Sequence, residues 1–242
     1  MNTADFISNF IRTERDRFSD KRNNSFAFGF GQIRRYYDFL QIILRYYDSA
    51  NKAFMENTKR TQEFIKSGGK GWSDEQRKEL DRGYEFSNKL HLHIESFYMF
   101  AKILLDKIAQ AIYFYFGNSK TMFQSHHDMI GRIQSYVSER GLIPIPEPLL
   151  NRMKQLQELV SDFRDDVITH QYSPRAMKAT MFNYTTGETW MMDHRIEPKE
   201  GDKQRESMPI TQLIKLIDDY IAEIINYLLA NKDRAYLGEI KS

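Results

Sequence analysis

Apolar residues recur at the three- and four-residue spacing of amphipathic helices along most of this 242-residue chain. The pattern predicts a short first helix over residues 6–18 and a long second helix whose apolar positions run from 33 to 54. A third helix, apolar on nearly all sides, is predicted from residue 73 to about residue 116. The stretch 23–31, which interleaves glycine and aromatic residues, predicts a loop between the first two helices.

Capping residues indicate where the third and fourth helices begin. Ser73 with Gln76, and Thr121 with Gln124, have the spacing of a capping box, in which each side chain bonds the backbone N–H of the other residue. We therefore expect the fourth helix to begin near Thr121. It should end before Gly141, because glycine readily adopts the left-handed conformation that closes a helix.

The last third of the chain combines two helices with a β-hairpin. A stiff proline-rich connector over 143–148 leads to a fifth helix, whose apolar stripe runs from 149 to 167. Residues 176–196 change toward the two-residue period of strands, with a turn at 185–187, which predicts a hairpin. A continuous apolar face predicts the last helix over 209–231.

These elements predict an all-α fold. Helices three to six form a four-helix up-down bundle, with two additional N-terminal helices and a β-hairpin inserted before the last helix. We expect an N-terminal helical extension over 1–66 that packs on the core, and a bundle domain over 74–231 that includes the hairpin. Residues 232–242 form a predicted C-terminal tail.

Composition narrows the classes of function. Lys and Arg number 35 against 33 Asp and Glu, so the net charge is only +2 and any contact with RNA must be local. The absence of cysteine excludes disulfides, thiolate metal sites and cysteine catalysis. The first residues lack a secretory pattern, and the most apolar segment, 94–116, carries several charges. We therefore expect a cytoplasmic protein that does not enter the membrane.

The strongest candidate chemistry lies late in the fifth helix, where Arg164 is followed by Asp165, His170 and Tyr172. A guanidinium grips phosphate through forked hydrogen bonds and an imidazole exchanges protons near neutral pH, so the pair suits a phosphodiester. On an unbroken α-helix, however, Arg164 and His170 would lie about 120° apart around the axis. They converge if the helix unwinds before His170, or if a second copy faces the first across a two-fold axis. The alternative is structural: Arg164 pairs with Asp165 or Asp166, and His170 caps the last carbonyls.

A narrow polar stripe runs along the otherwise apolar third helix. Its members follow the helical repeat on one side: His91, Glu95, Lys102, Asp106 and Gln110. Either the stripe faces a groove or its side chains pair with one another, as buried charges normally do. Alternatively a carboxylate, Asp106 in preference to Glu95, lies beside Arg164 or His170 and orients it.

The densest cluster of possible metal ligands is His126, His127 and Asp128. Adjacent residues on a helix diverge, and a third ligand would have to come from elsewhere in the chain. We therefore expect no metal and no other cofactor, and we rank a metal hydrolase at this cluster last.

The spacing of Arg164, Asp165, His170 and Tyr172 resembles the R-x5-H-x-Y form of the motif that marks the HEPN (higher eukaryotes and prokaryotes nucleotide-binding) superfamily. The similarity covers residues 74–231, and the segment 105–108 of the third helix resembles the long core helix of that family. The resemblance implies an all-α bundle of four or five helices, with the motif near the end of a late helix.

The resemblance also implies an activity, namely a metal-independent endoribonuclease, often part of a toxin–antitoxin or phage-defence system. His170 would take the proton from a ribose 2′-hydroxyl while Arg164 holds the phosphate, which would leave a 2′,3′-cyclic phosphate and a 5′-hydroxyl. Asp165 would orient Arg164. Tyr172 would contact phosphate or accept a modification from a nucleotidyltransferase-like antitoxin. The motifs of two subunits would meet in a homodimer.

Many HEPN relatives have no catalytic activity. The second hypothesis is therefore a non-catalytic HEPN-like module that binds a nucleotide or a protein, or that serves for dimerisation. In that case the polar residues of the motif belong to the scaffold of the fold, and removing them should lower the free energy of unfolding.

Overall fold

A computed structural model describes residues 2–18, 25–67, 71–121, 123–169, 176–195 and 205–237. These residues are mostly helical, which confirms the predicted all-α class. The α-helices are α1 (Thr3–Arg15), α2 (Ser25–Lys66), α3 (Asp74–Phe116), α4 (His126–Arg140), α5 (Glu147–Leu156) and α6 (Ile210–Ala230). The strands are β1 (Ala176–Asn183), β2 (Glu188–Arg195) and β3 (Arg205–Glu206).

The beginning of α3 agrees with its predicted capping box. The Ser73 N–H donates to Oε1 of Gln76 at 2.9 Å, and the Gln76 N–H donates to Oγ of Ser73 at 3.2 Å. Gly117 follows the helix with a positive φ of 83°.

The predicted beginning of α4 at Thr121 is wrong, because the helix begins at His126. Thr121 lies before the helix, where its N–H and its hydroxyl both donate to the carboxylate of Glu139, at 3.0 and 2.5 Å. Ser125 is the residue that caps α4, and its side chain accepts from the Asp128 N–H. Gly141 ends α4 in the left-handed conformation, with φ of 62°, as predicted.

The predicted loop at 23–31 is wrong for residues 25–31, because α2 already begins at Ser25. Gly29 therefore lies inside a helix, where glycine is unfavourable unless packing requires it. Packing does require it here, since a Cβ at Gly29 would overlap the ring of Phe114 on α3. The glycine lets the two helices approach closely instead of breaking one of them.

The chain forms two compact units. The first contains Met1–Leu40, Met99–Asp162 and Ile214–Ser242, and the second contains Gln41–Tyr98 and Phe163–Leu213. Each unit takes one part of α2 and one part of α3. The predicted extension 1–66 and bundle domain 74–231 stay predictions.

An aromatic cluster forms the core of the first unit around Tyr115. The ring centroids of its members lie 4.6 to 6.0 Å apart, and the cluster comprises Phe10, Phe18, Phe26, Phe30 and Tyr115. The Tyr115 hydroxyl donates to the carboxylate of buried Glu14 at 2.8 Å, and Arg17 pairs with the same carboxylate. The hydrogen bond and the ion pair compensate Glu14 for its loss of water.

The second unit carries the β-hairpin. Strand β1 pairs with β2 in antiparallel register without interruption, from Ala176 opposite Arg195 to Asn183 opposite Glu188, and β3 adds to the other side of β2. The predicted hairpin is confirmed, and its turn includes Gly187 with φ of 69°. In the portion of the chain that the structure describes, no helix has the length and apolar character needed to span a bilayer.

We predict that Gly29→Ala lowers the free energy of unfolding by about 1–3 kcal/mol, because the added methyl group forces Phe114 to move. Gly31→Ala is the matched control in the same helix. Nothing lies within 4 Å of a Cβ at Gly31, so the control should be stabilising by about 0.5–1 kcal/mol. Denaturant unfolding measures both changes, and effects of the same sign would contradict this account.

Candidate functional site

The segment that carries the predicted site is wound as a π-helix. Two stretches with π-helical hydrogen bonding follow α5, Gln157–Asp162 and Arg164–Thr169. The predicted fifth helix is therefore helical through residue 167, but only its first part is an α-helix. π-Helical turns are rare, and those that persist frequently occur at functional sites.

Arg164 begins the second π-helical stretch, and packing fixes the residue before it. Phe163 is buried, and its ring centroid lies 4.8 Å from that of Tyr98 on α3. The Tyr98 hydroxyl in turn donates to the Met208 carbonyl at 3.2 Å. The buried side chain of Phe163 therefore fixes the position of the backbone next to Arg164.

The guanidinium of Arg164 is partly buried, with 24% of the side chain exposed. One of its terminal nitrogens, Nη2, forms an ion pair with Oδ1 of Asp165. Its Nε is buried and has no hydrogen-bond partner among the described residues. An unpaired buried donor is unfavourable by about 1–3 kcal/mol, and an incoming anionic oxygen would remove that penalty. Nε of Arg164 can therefore bind an anion while Asp165 keeps Nη2 in place.

His170 and Tyr172 lie outside the described residues, as does the side chain of Asp166. The predicted meeting of Arg164 and His170 therefore stays a prediction. The α-helical phase angle between them no longer applies, because the segment 164–169 is π-helical.

Asp106, predicted to support the site, belongs to the first unit, whereas Arg164 belongs to the second. Its Oδ1 accepts from Nζ of Lys102 at 2.6 Å and from the His126 N–H at 2.9 Å. Lys102 and Asp106 thus pair with each other along the polar stripe of α3. The second bond ties α3 to the first residue of α4. The predicted role beside Arg164 stays a prediction.

His126, in the first unit, is a buried titratable group whose ring has two polar partners. Its side chain has no exposed surface, with Nδ1 3.2 Å from Oε1 of Gln157 and Nε2 3.1 Å from the Tyr220 hydroxyl. Because the amide oxygen can only accept, Nδ1 carries the proton and Nε2 accepts from Tyr220. These two hydrogen bonds join α4 to α6 and to the beginning of the first π-helical stretch.

Burial lowers the pKa of His126 to about 4, from 6.5. The loss of water around the ring is the main cause. The hydrogen bond to Gln157 opposes it, the nearby charge of Lys102 adds to it, and Asp106 acts in the opposite direction. His126 is therefore neutral at physiological pH.

The contacts of His126 and Asp128 also bear on the alternative prediction of a metal site at residues 126–128. Both ring nitrogens of His126 lie within hydrogen-bonding distance of protein atoms, and the Asp128 carboxylate lies 4.0 Å from Arg132. Within the described ranges no group of three His, Asp or Glu side chains is arranged to hold a metal ion. His126 instead joins three helical segments.

Sequence reasoning missed a second histidine contact, in the second unit. His91, a member of the polar stripe of α3, is half-buried, and its Nε2 lies 2.8 Å from Oγ1 of Thr180 on β1. Ser87, one turn earlier on α3, lies 2.9 Å from the same hydroxyl. The spacing of Ser87 and His91 shows that they share a helix face. Nothing in the sequence identifies Thr180, which lies 93 positions after Ser87 and 89 after His91, as their partner.

The second unit also has an open groove of about 450 Å³ between the C-terminal part of α2 and the hairpin turn. Its lining is largely the aliphatic portions of charged side chains, together with Met55 and Tyr184. Neither Arg164 nor Asp165 contributes to it. The groove therefore adds no group to the predicted phosphodiester chemistry.

We predict that His126 makes stability depend on pH between 6.5 and about 4. In that window the unfolded chain binds a proton at this residue and the folded chain does not, so stability falls as pH falls. The pKa difference corresponds to a loss on the order of 3 kcal/mol. His126→Gln should flatten this part of the curve, whereas exposed His127→Gln should leave it unchanged. Urea unfolding across this range measures the slope, and an unchanged slope in His126→Gln would exclude the assignment.

Comparisons with known proteins leave the site to be judged on its own residues. No family model matches the chain, and neither the curated proteins nor the solved structures include a significant match. The geometry around Arg164 and the resemblance of its motif are therefore the basis for a functional hypothesis.

Proposed function

We propose that this chain is a HEPN-like, metal-independent endoribonuclease in which Arg164 and His170 are the catalytic residues. One observation carries the proposal. Arg164 begins the R-x5-H-x-Y motif, and its guanidinium is paired with Asp165 at one nitrogen while Nε is buried and unpartnered among the described residues. A guanidinium that is paired at one nitrogen and has a second donor unsatisfied is suited to bind a phosphate oxygen.

In the proposed reaction the RNA supplies its own nucleophile. His170 accepts the proton of a ribose 2′-hydroxyl, and the 2′-oxygen forms a bond to the adjacent phosphorus. The bond from phosphorus to the 5′-oxygen breaks, and that oxygen gains a proton. Arg164 offsets the negative charge that builds up on the phosphoryl oxygens in the transition state. The products are a 2′,3′-cyclic phosphate and a 5′-hydroxyl.

The remaining parts of the proposal follow from the resemblance. Helices α3 to α6 correspond to the HEPN bundle, Tyr172 contacts the phosphate or is the target of a nucleotidyltransferase-like antitoxin, and a homodimer brings two motifs to one cleft. The biological setting would be a cytoplasmic toxin–antitoxin or phage-defence system.

We predict that the purified chain cuts single-stranded RNA in EDTA and that His170→Ala lowers the rate about 100-fold or more. His127→Ala, at an exposed histidine of α4, is the matched control and should keep the wild-type rate. Cleavage should require the 2′-hydroxyl at the cut site, which a substrate with a single 2′-deoxy substitution there tests. Gel separation with end-group analysis identifies the cyclic phosphate. Cleavage of the deoxy substrate, or full activity of His170→Ala, would exclude the mechanism.

The partial burial of Arg164 also keeps the non-catalytic alternative open. We predict that Arg164→Ala changes the free energy of unfolding by less than about 1 kcal/mol if the residue serves catalysis, because removing a catalytic group usually has little effect on stability. Thermal or denaturant unfolding measures this, with exposed Arg132→Ala as the control. A loss of more than about 2 kcal/mol would instead assign Arg164 to the scaffold of a binding module.

A further inference from the structure

The two outer edges of the hairpin differ in how their backbone groups are satisfied. On β2, the Thr189 N–H donates to the Tyr47 hydroxyl at 3.4 Å, and that hydroxyl donates to the Thr189 carbonyl at 3.1 Å. The Met191 N–H donates to Oγ of Ser207, and the Met191 carbonyl accepts from the Ser207 N–H, both at 2.8 Å. Strand β3 continues this edge. The outer edge of β2 is therefore covered by other parts of the second unit.

The register fixes which groups of β1 point away from the sheet. Thr189 and Met191 direct their N–H and C=O groups away from β1, and they stand opposite Phe182 and Thr180. In an antiparallel pair, residues opposite one another either bond each other or both point outward. The N–H and C=O groups of Thr180 and Phe182 therefore point to the outer edge of β1. Because every second residue of a strand points its backbone groups the same way, the N–H and C=O groups of Lys178 also point to this outer edge.

Among the described residues, none hydrogen-bonds to the outward N–H and C=O groups of Thr180 and Phe182. The strand is eight residues long, and its pairing with β2 is uninterrupted, so no bulge bends the edge away. A long, regular edge with unpaired backbone groups is a template for another strand.

Helix α3 lies against the face of β1 that carries the Thr180 side chain. Ser87 and His91 of α3 bond Thr180 and so mark the row of the helix that lies under β1. On one side of this row α3 is buried, at Leu90 and Ile94. The row on its other side faces solvent.

That outer row of α3 carries large apolar side chains in water. Tyr84 and Leu92, two helical turns apart, are 67% and 61% exposed. Exposed apolar side chains of this size are candidates for burial in an interface.

We propose that β1 of a second copy of this chain binds here in antiparallel orientation, so that two hairpin sheets join into one. The two-fold axis passes through Ala179, which faces Ala179 of the partner subunit in a pair without mutual hydrogen bonds. Thr180 then exchanges both backbone hydrogen bonds with Lys178 of the partner subunit. This inference concerns an interface, and it does not require that the chain cut RNA.

The strand suits a second copy because it is self-complementary. Opposed residues come closest in a non-hydrogen-bonded pair, and the residue that must meet itself there is alanine, the smallest side chain of β1. The only charged residue of β1 is Lys178, and this register sets it opposite Thr180 instead of opposite a second lysine. The edge thus pairs with itself without steric overlap or directly opposed like charges.

Charge reversal at the axis tests the proposal with the full chain. Sedimentation of the wild type at concentrations up to about 1 mM should show a dimer. Ala179→Lys and Ala179→Glu should each raise the dimer dissociation constant about tenfold or more, because two like charges then face each other. An equimolar mixture of the two variants should recover dimers. Thr185→Lys, at the exposed hairpin tip, is the control and should dimerise as the wild type does.

Hydrogen exchange supplies a residue-level readout. The Thr180 and Phe182 amides should become protected as concentration rises, whereas the Ala179 and Met181 amides, bonded to β2, should be protected at every concentration. A wild type that remains monomeric overturns the proposal. So does a dimer that survives in both charged variants, since another surface then holds it, or a mixture that fails to recover dimers.

Discussion

Several polar groups that the helices remove from water are paired across elements, and these pairings constrain how the helices pack. Glu14 is buried because Tyr115 and Arg17 satisfy its carboxylate, and this joins α1 to α3. His126 is buried because Gln157 and Tyr220 satisfy its ring. An unpaired buried polar group is unfavourable by about 1–3 kcal/mol, so each partnership selects one packing of the helices over its alternatives.

Against this background, groups without partners are informative. Two of the buried side-chain atoms that lack a partner among the described residues are Oγ of Ser161 and Nε of Arg164, one in each π-helical stretch. A π-helical turn changes the direction of side chains relative to an α-helix, so it can leave a donor facing a space that protein atoms do not fill. The unsatisfied donor of Arg164 belongs to a charged guanidinium, whereas that of Ser161 is an uncharged hydroxyl.

The sequence predicts those features whose causes are local. The Ser73–Gln76 capping box, the end of α4 at Gly141 and the hairpin turn at Gly187 each follow from residues a few positions apart, and all three are present. Predictions fail where a distant residue decides. Gly29 serves the close approach of Phe114 instead of a loop, and Thr121 bonds Glu139 of α4 instead of capping the helix.

The candidate site follows the same division. The motif from Arg164 to Tyr172 can be found in the sequence because its chemistry depends on residue type and spacing. The π-helical winding and the unsatisfied Nε cannot be found there, since both depend on how the segment packs. The contact of His91 with Thr180 likewise joins residues that no periodicity connects.

Arg164 and the open edge of β1 both belong to the second unit, and the two proposals about them meet in one requirement. A guanidinium and an imidazole six residues apart need either a distorted helix or a second chain to reach one phosphate. The π-helical winding of residues 164–169 is a distortion of the first kind. A two-fold axis through Ala179 would supply the second, because pairing β1 with itself brings together two copies of the unit that contains Arg164.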